Sequence, residues 1–324
     1  MIYYLPLEHL EKRYTKDLDN QLMREFKKQK KAFKKIDGEV LSSKIDVGAF
    51  LDSDSTIYFK MAQIQKVSKL FKENKIKDGD VFFVSDLWFP GIESIKYMAF
   101  FHGIKVKIKG FIHAGSFTET DYVRGMEDWA QWTERGWFKM FDTIFLGSDF
   151  IKSELIEKKR IIDFTKLRVT GLPFNMEDCY KLAKLIPWEK KEDIVIFSGR
   201  LDDEKQPWIF DRLAKKFPNV QFIKTMDLNL SKKAYYQLLS MSKIVFSSAL
   251  QENFGYSALE GATYNCNLVL PNRLVYPEFY GKECLYSSEE EMVKRIELGL
   301  KKSYNTVKYA KRHNRNVEKI VKLI

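Results

Sequence analysis

The stretch Glu252-Asn-Phe-Gly-Tyr-Ser-Ala-Leu-Glu260 sets two carboxylates with seven residues between them, just after the short apolar run 244–247. That run reads as a strand. Phe254, Ala258, Leu259 and Ala262 then recur at helical spacing, so the whole is a strand, a tight turn and the opening of a helix. Glu252 is expected in the turn and Glu260 about two turns along the helix. The amides from Asn253 to Tyr256 then point out of a helix start, a ready place for phosphate oxygens, and Gly255 lets the backbone approach closely.

Working outward, the same rhythm repeats. Apolar runs at 194–197, 220–223 and 268–270 alternate with helical periodicity at 208–216, 232–241, 255–263 and 289–300. Toward the amino terminus, strands are expected at 2–5, 40–45, 81–84, 106–112 and 143–146, with 169–173 closing the set. Helices are expected at 16–35, 59–74, 92–101, 122–138 and 150–159. Short apolar runs between longer amphipathic stretches specify an α/β protein with parallel sheets. The mixed, polar stretch 175–193, with Pro187, reads as a linker. A chain of 324 residues has room for two domains of roughly 150 residues each. Two open sheets place a ligand at the carboxyl ends of their strands.

A second motif sits at such an end. Phe197-Ser198-Gly199-Arg200-Leu201 leaves the strand 194–197, and Lys205 follows five residues after Arg200. Two fixed cations suit a leaving diphosphate, stabilised by charge-assisted hydrogen bonds in place of a metal. Taken singly, each motif reads equally well as a surface ion pair or an exposed helix end.

In this order and both at strand ends, the motifs resemble the donor half of retaining GT-B glycosyltransferases, above all the large family four. The resemblance covers residues 193–286, including Gly261-Ala262 and the turn Leu270-Pro271-Asn272. It implies two Rossmann-like domains facing a central cleft: 1–175 for the acceptor, 190–302 for the nucleotide-sugar donor, and 303–324 as a helix crossing back onto the first domain. It also implies that Arg200 and Lys205 hold the diphosphate and that Gly199, Asn253, Phe254, Gly255 and Tyr256 line the donor. Glu260 would bind the ribose hydroxyls and Glu252 the hydroxyls of the transferred sugar, with a UDP-linked glucose as the expected donor. Retention comes with the resemblance, the leaving phosphate helping to deprotonate the acceptor.

The first half departs from that pattern, because its opening strand runs into Leu5-Pro6-Leu7-Glu8 where the family has a glycine-rich turn. Gly110-Phe-Ile-His113-Ala-Gly115 nonetheless keeps a histidine at a strand end, which the resemblance places in the cleft near the sugar as a catalytic group; the alternative is a satisfied core histidine. Trp88, Trp129, Trp132 and Trp137, with Asp121 and Arg124 among them, could grip a flat acceptor such as a base by stacking, or simply pack a core. Pro6-Leu7-Glu8, Arg13-Tyr14-Thr15, Tyr58-Phe59-Lys60 and residues 110–116 are also similar to phage-encoded glycosyltransferases that modify hydroxymethylated pyrimidines. That likeness implies a DNA acceptor carrying a base such as 5-hydroxymethylcytosine.

The formal net charge of +11 is unevenly spread. Residues 24–35 carry seven Lys or Arg against Glu25, and residues 301–324 carry eight against Glu318. Such clusters are the footprint of a polyanion partner or the solvated faces of lysine-rich helices. If the closing helix lies on the first domain, both clusters border the acceptor cleft. The expected acceptor-binding set is therefore Trp88, Asp121, Arg124, Lys27, Lys31, Lys34, Lys311 and Arg312, with DNA as partner. A polysaccharide, a glycolipid, a modified tRNA base and a non-catalytic sugar-binding relic are the other readings. The histidines (His9, His102, His113, His313) and cysteines (Cys179, Cys266, Cys284) show no ligand spacing, and no Asp-x-Asp precedes a strand-end turn, so neither metal nor resident cofactor is expected. No apolar run reaches the ~18 residues of a membrane span, and Glu8 and His9 interrupt any leader. A monomer in the cytoplasm, the host's if the chain is phage-encoded, without membrane insertion, is the resulting expectation.

Overall fold

The computed structural model describes residues 1–9, 14–42, 52–158 and 160–324. In chain order its elements are β1 (Ile2–Leu5), α1 (Thr15–Lys28), β2 (Phe33–Lys35), α2 (Ser53–Lys72), β3 (Val81–Val84), α3 (Glu93–Phe101), β4 (Lys107–Ile112), α4 (Glu127–Met140), β5 (Thr143–Leu146), α5 (Asp149–Glu157) and β6 (Leu167–Val169). There follow α6 (Met176–Leu182), β7 (Glu192–Phe197), α7 (Pro207–Lys216), β8 (Gln221–Lys224), α8 (Lys232–Met241), β9 (Ser242–Phe246), α9 (Tyr256–Thr263), β10 (Asn267–Pro271), α10 (Tyr276–Phe279), β11 (Leu285–Tyr286), α11 (Glu289–Lys301), α12 (Val307–His313) and α13 (Asn316–Leu323).

The chain divides into two compact units: Met1–Pro173 with Asn316–Ile324, and Phe174–Arg315. Among the described residues, the first unit holds a parallel sheet in the order β2-β1-β3-β4-β5-β6. Strands β1, β3 and β5 are near-continuous apolar runs because both of their faces are covered. Right-handed crossovers put α2 to α5 on one face, where Phe82, Val84, Ile108, Ile144 and Leu146 join Val67, Ile95, Phe138 and Ile151 in one core. On the other face Phe26 of α1 packs edge-on against Phe83, which also meets Phe111 and Phe145, and α13 lies beside α1. The second unit holds a parallel sheet in the order β11-β10-β9-β7-β8. Its core joins Val195, Phe197, Ile244, Phe246 and Val269 to Phe210, Leu213 and Ile296.

Several expectations need correction. The helix expected over 16–35 stops at Lys28: Lys30 adopts a left-handed φ of 53°, and Phe33–Lys35 becomes an edge strand paired with β1. Residues 40–42 are not strand, and 43–45 of the expected strand 40–45 lie outside the described residues, as does Arg13. The supposed linker contains α6, whose Cys179 is buried. The closing helix expected to cross back is two helices. Only α13 belongs with the first unit, while α12 belongs with the second and packs on α9. Lys311 and Arg312 are therefore part of the second unit and not of the first.

Candidate active site

In each sheet the chain first steps to one side and then crosses back to the other. The loops leaving the carboxyl ends of the two strands at that switch diverge, and the gap between them is where open α/β sheets bind ligands. In the second unit the switch lies between β7 and β9, so the loops at issue are 198–206 and 247–255. These are the loops that carry Gly199, Arg200, Lys205, Glu252 and Gly255.

The geometry there is tight. Arg200 pairs with Glu204 and, at 3.2 Å, with Asp202. The buried Lys205 amine donates to the Gln251 carbonyl and lies 3.7 Å from Glu204 and 3.6 Å from Glu252 Oε2. Glu252 Oε1 accepts the Gly255 amide at 3.0 Å, which fixes the carboxylate across the turn. Gly255 has φ of +74° at the start of α9, a conformation that disfavours any side chain. A Cβ on Gly199 would stand 3.1 Å from the Phe197 ring, so a side chain here would press on that ring. Ser248 Oγ donates to the Lys205 carbonyl at 2.8 Å, tying the two loops together.

Glu260 sits on the second turn of α9, where its two oxygens accept the hydroxyls of Tyr236 at 2.8 Å and Tyr235 at 3.0 Å. Burial raises its carboxyl above the usual range, against the pull of Lys232 and the two hydroxyls. Any ribose hydroxyl reaching Glu260 must compete with those phenols. Phe254, expected to line the donor, is buried against Phe279 and His313, so its ring packs the core and only its backbone faces the turn. Asn253 and Tyr256 are half-buried beside it.

The first unit switches between β1 and β3. His113, one residue past β4, has Nε2 at 2.7 Å from the Ser85 carbonyl and Nδ1 at 3.1 Å from the Tyr14 hydroxyl. A carbonyl only accepts, so Nε2 carries the proton and Nδ1 of the neutral ring accepts from Tyr14. Burial lowers the His113 pKa, which favours that neutral form. Nearby, the buried Lys60 binds Asp86, at 3.2 Å, and the Trp88 carbonyl. The buried Glu8 accepts Ser55 Oγ and Thr56 Oγ1, each at 2.9 Å. Burial also pushes the Glu154 carboxyl, which accepts Thr118 Oγ1 at 3.4 Å, up to about 7.

Other acceptor residues are placed differently from expectation. Trp88, half-buried, donates its indole N–H to Glu134 at 3.0 Å and meets Trp137 edge-on, so it braces the fold. Trp129 and Trp132 are exposed, Trp132 beneath the Arg135 guanidinium. Asp121 caps the turn at Val123, at 3.1 Å, while Arg124 holds the Ser116 carbonyl at 3.0 Å and pairs with Glu127. Lys27 and Lys31 do not border the switch of the first unit. Helix α1 leaves the carboxyl end of β1 and must return to the start of the parallel β2, so Lys27 and Lys31 lie at the amino ends of the strands. Lys34 pairs in register with Tyr3, whose ring joins the α2–α5 core, so Lys34 faces away from Lys27.

Sequence reasoning missed Lys60, Tyr235, Tyr236 and Arg273. Lys60 alone left a trace, a lysine on the buried stripe of a helix. Arg273, just past β10, donates Nε to the Ala249 carbonyl at 3.1 Å and Nη2 to the Ser248 carbonyl at 3.1 Å and to Gln206 Oε1 at 3.3 Å. Among the described residues no helix is long and apolar enough to cross a membrane.

No family model matches the chain. A stretch of 68 residues is 40% identical to the tRNA-queuosine alpha-mannosyltransferase of Drosophila melanogaster, covering 21% of this chain and 18% of that protein. Solved structures match along almost the whole length at low identity. Sucrose-phosphate synthase from Thermosynechococcus elongatus has a TM-score of 0.63 at 10% identity, covering 98% of this chain and 94% of its own. The UDP-forming alpha,alpha-trehalose-phosphate synthase from Burkholderia vietnamiensis has 0.62 at 14%, covering 99% and 94%. The lipopolysaccharide outer core galactosyltransferase WaaB has 0.55 at 12%, covering 98% and 99%. With its two parallel sheets, the chain has the GT-B fold of glycosyltransferases.

Proposed function

We propose that the protein is a metal-independent, retaining glycosyltransferase that takes a sugar from a nucleoside diphosphate sugar and transfers it to a hydroxyl on a nucleic-acid base. The observation that carries the donor half is the convergence of Arg200, Lys205, Glu252 and Gly255 on the switch between β7 and β9. There the two cations meet the leaving diphosphate, and donors fixed before the reaction stabilise charge as it develops. Glu252, anchored by the Gly255 amide, offers its second oxygen to hydroxyls of the transferred sugar. Glu260 takes the ribose hydroxyls in exchange for the tyrosines. His113, held neutral with its Nε2 proton committed to Ser85, is placed at the strand ends of the acceptor unit.

The acceptor half rests on likeness. The match to a tRNA-queuosine mannosyltransferase favours a tRNA base, and the resemblance to phage enzymes favours a hydroxymethylated pyrimidine in DNA; both are base-borne hydroxyls. Reaching such a base inside a duplex requires flipping it out. The experiment is to incubate the protein with UDP- and GDP-sugars and with hydroxymethylated DNA, unmodified DNA or bulk tRNA, and then weigh the digested nucleosides. Addition of one hexose to a nucleoside of one polymer supports the reading and chooses between DNA and tRNA. Release of nucleoside diphosphate without mass gain on any nucleoside would overturn the nucleic-acid acceptor and leave the donor assignment standing.

A further inference from the structure

The ion-paired cluster at the β7/β9 switch has too little positive charge for the anion it is read to hold. Arg200 and Lys205 are bridged to three carboxylates, those of Asp202, Glu204 and Glu252. At neutral pH the linked group is formally one negative charge in excess, and a diphosphate brings more. Buried or half-buried like charges repel strongly where water is scarce.

Arg273 lies beside this cluster. It is held by the carbonyls of Ser248 and Ala249 and by the Gln206 side chain, that is, by the loop after β9 and by the residue next to Lys205. All three acceptors are neutral, and among the described residues Arg273 has no carboxylate partner. A guanidinium fixed in place with its charge uncompensated is built to receive an anion. The next residue, Leu274, adopts a φ of +60°, a left-handed backbone that disfavours a side chain. Strain of this kind collects where the backbone must present a functional group.

We propose that Arg273 is a third phosphate-binding cation of the donor site, offsetting the carboxylates that occupy Arg200 and Lys205. This inference rests on the reading of the second unit as a nucleotide-sugar site. The test is calorimetric titration of UDP and GDP, and of uridine and guanosine, into the wild type, Arg273→Gln and Arg273→Lys, at two salt concentrations. Arg273→Gln is expected to weaken the preferred nucleoside diphosphate about 10- to 100-fold, to leave the nucleoside unchanged, and to flatten the salt dependence. Arg273→Lys should keep part of the affinity. Because the side chain is exposed, melting midpoints without ligand should coincide, which separates a lost contact from a lost fold. Diphosphate affinity within twofold of the wild type in Arg273→Gln overturns the proposal, and so does an equal loss for nucleoside and diphosphate, which marks a loop support. A wild type that binds no nucleoside diphosphate overturns the donor-site reading itself, a result distinct from both.

Discussion

Replacing Glu134 with Gln tests whether the first unit is braced as the structure describes. Glu134 lies on α4 with no solvent exposure. It accepts the indole of Trp88 at 3.0 Å, the amide and hydroxyl of Ser116 at 2.6 and 2.8 Å, and Arg160 Nε at 3.1 Å. One carboxylate thus ties the loop after β3, the loop after β4 and the end of α5. The amide of Gln is isosteric, but its NH2 group must face donors on one side, and Arg160, itself buried, keeps only Glu127 as a carboxylate partner. Breaking a buried ion pair on one side costs about 3–5 kcal/mol. For a unit of this size that corresponds to a fall in melting midpoint of roughly 6–20 °C. Trp88→Phe removes one neutral donor and should cost only about 1 kcal/mol. Scanning calorimetry would follow both variants, together with Arg160→Met in the Glu134→Gln background, where the second change should add little because the partners are coupled. A midpoint shift under 3 °C for Glu134→Gln, or simple additivity with Arg160→Met, would refute the reasoning.

Three further outcomes are expected. Because burial holds the His113 pKa below its unfolded value, the unfolded chain takes up the proton first; its contribution to stability is intact above about pH 6.5, declines as pH falls toward the folded pKa, and should vanish from the stability–pH profile in His113→Asn. Glu260→Gln should mainly raise the donor KM and Glu252→Gln mainly lower kcat, since ribose contacts serve uniform binding whereas sugar contacts tighten in the transition state; identical behaviour in steady-state kinetics would sink that division of roles. Leu274→Gly should raise stability by roughly 0.5–1 kcal/mol in urea titrations, relief of the left-handed backbone outweighing the chain entropy of glycine, and a loss would mean that the half-buried leucine side chain matters more than the strain.

Much of the second unit was legible because its signals are local. A strand, a glycine turn and a helix start follow one another within 192–207 and again within 242–256, so periodicity and turn chemistry place Arg200, Lys205 and Glu252 in the loops after the strands and Glu260 on the helix that follows. What was not legible depends on contacts distant in sequence. The lysine spacing of 24–35 fits a helix, and only the pairing of Phe33 with Ile2 makes its end a strand. Trp88 read either as a stacking surface or as a core side chain, because its partner, Glu134, is 46 residues away. Asp202 and Glu204 sit two and four residues from Arg200 and were open to reading, but Glu252 on Lys205, the tyrosines of α8 on Glu260 and the neutral anchors of Arg273 bring together two loops and a helix that no spacing connects. The basic segments could be counted but not placed, because charge alone does not say which end of a sheet a helix terminus meets, and α1 takes Lys27 and Lys31 to the amino ends.

The measurement closest to the central claim is hydrogen–deuterium exchange of the backbone amides with and without a saturating nucleoside diphosphate, UDP and GDP in turn. If the switch between β7 and β9 is the donor site, the diphosphate should slow exchange in peptides spanning 198–206 and 247–260, and the loops after β1 and β3 should be unaffected by it. Protection absent from both of those peptides, or confined to the first unit, would contradict the account.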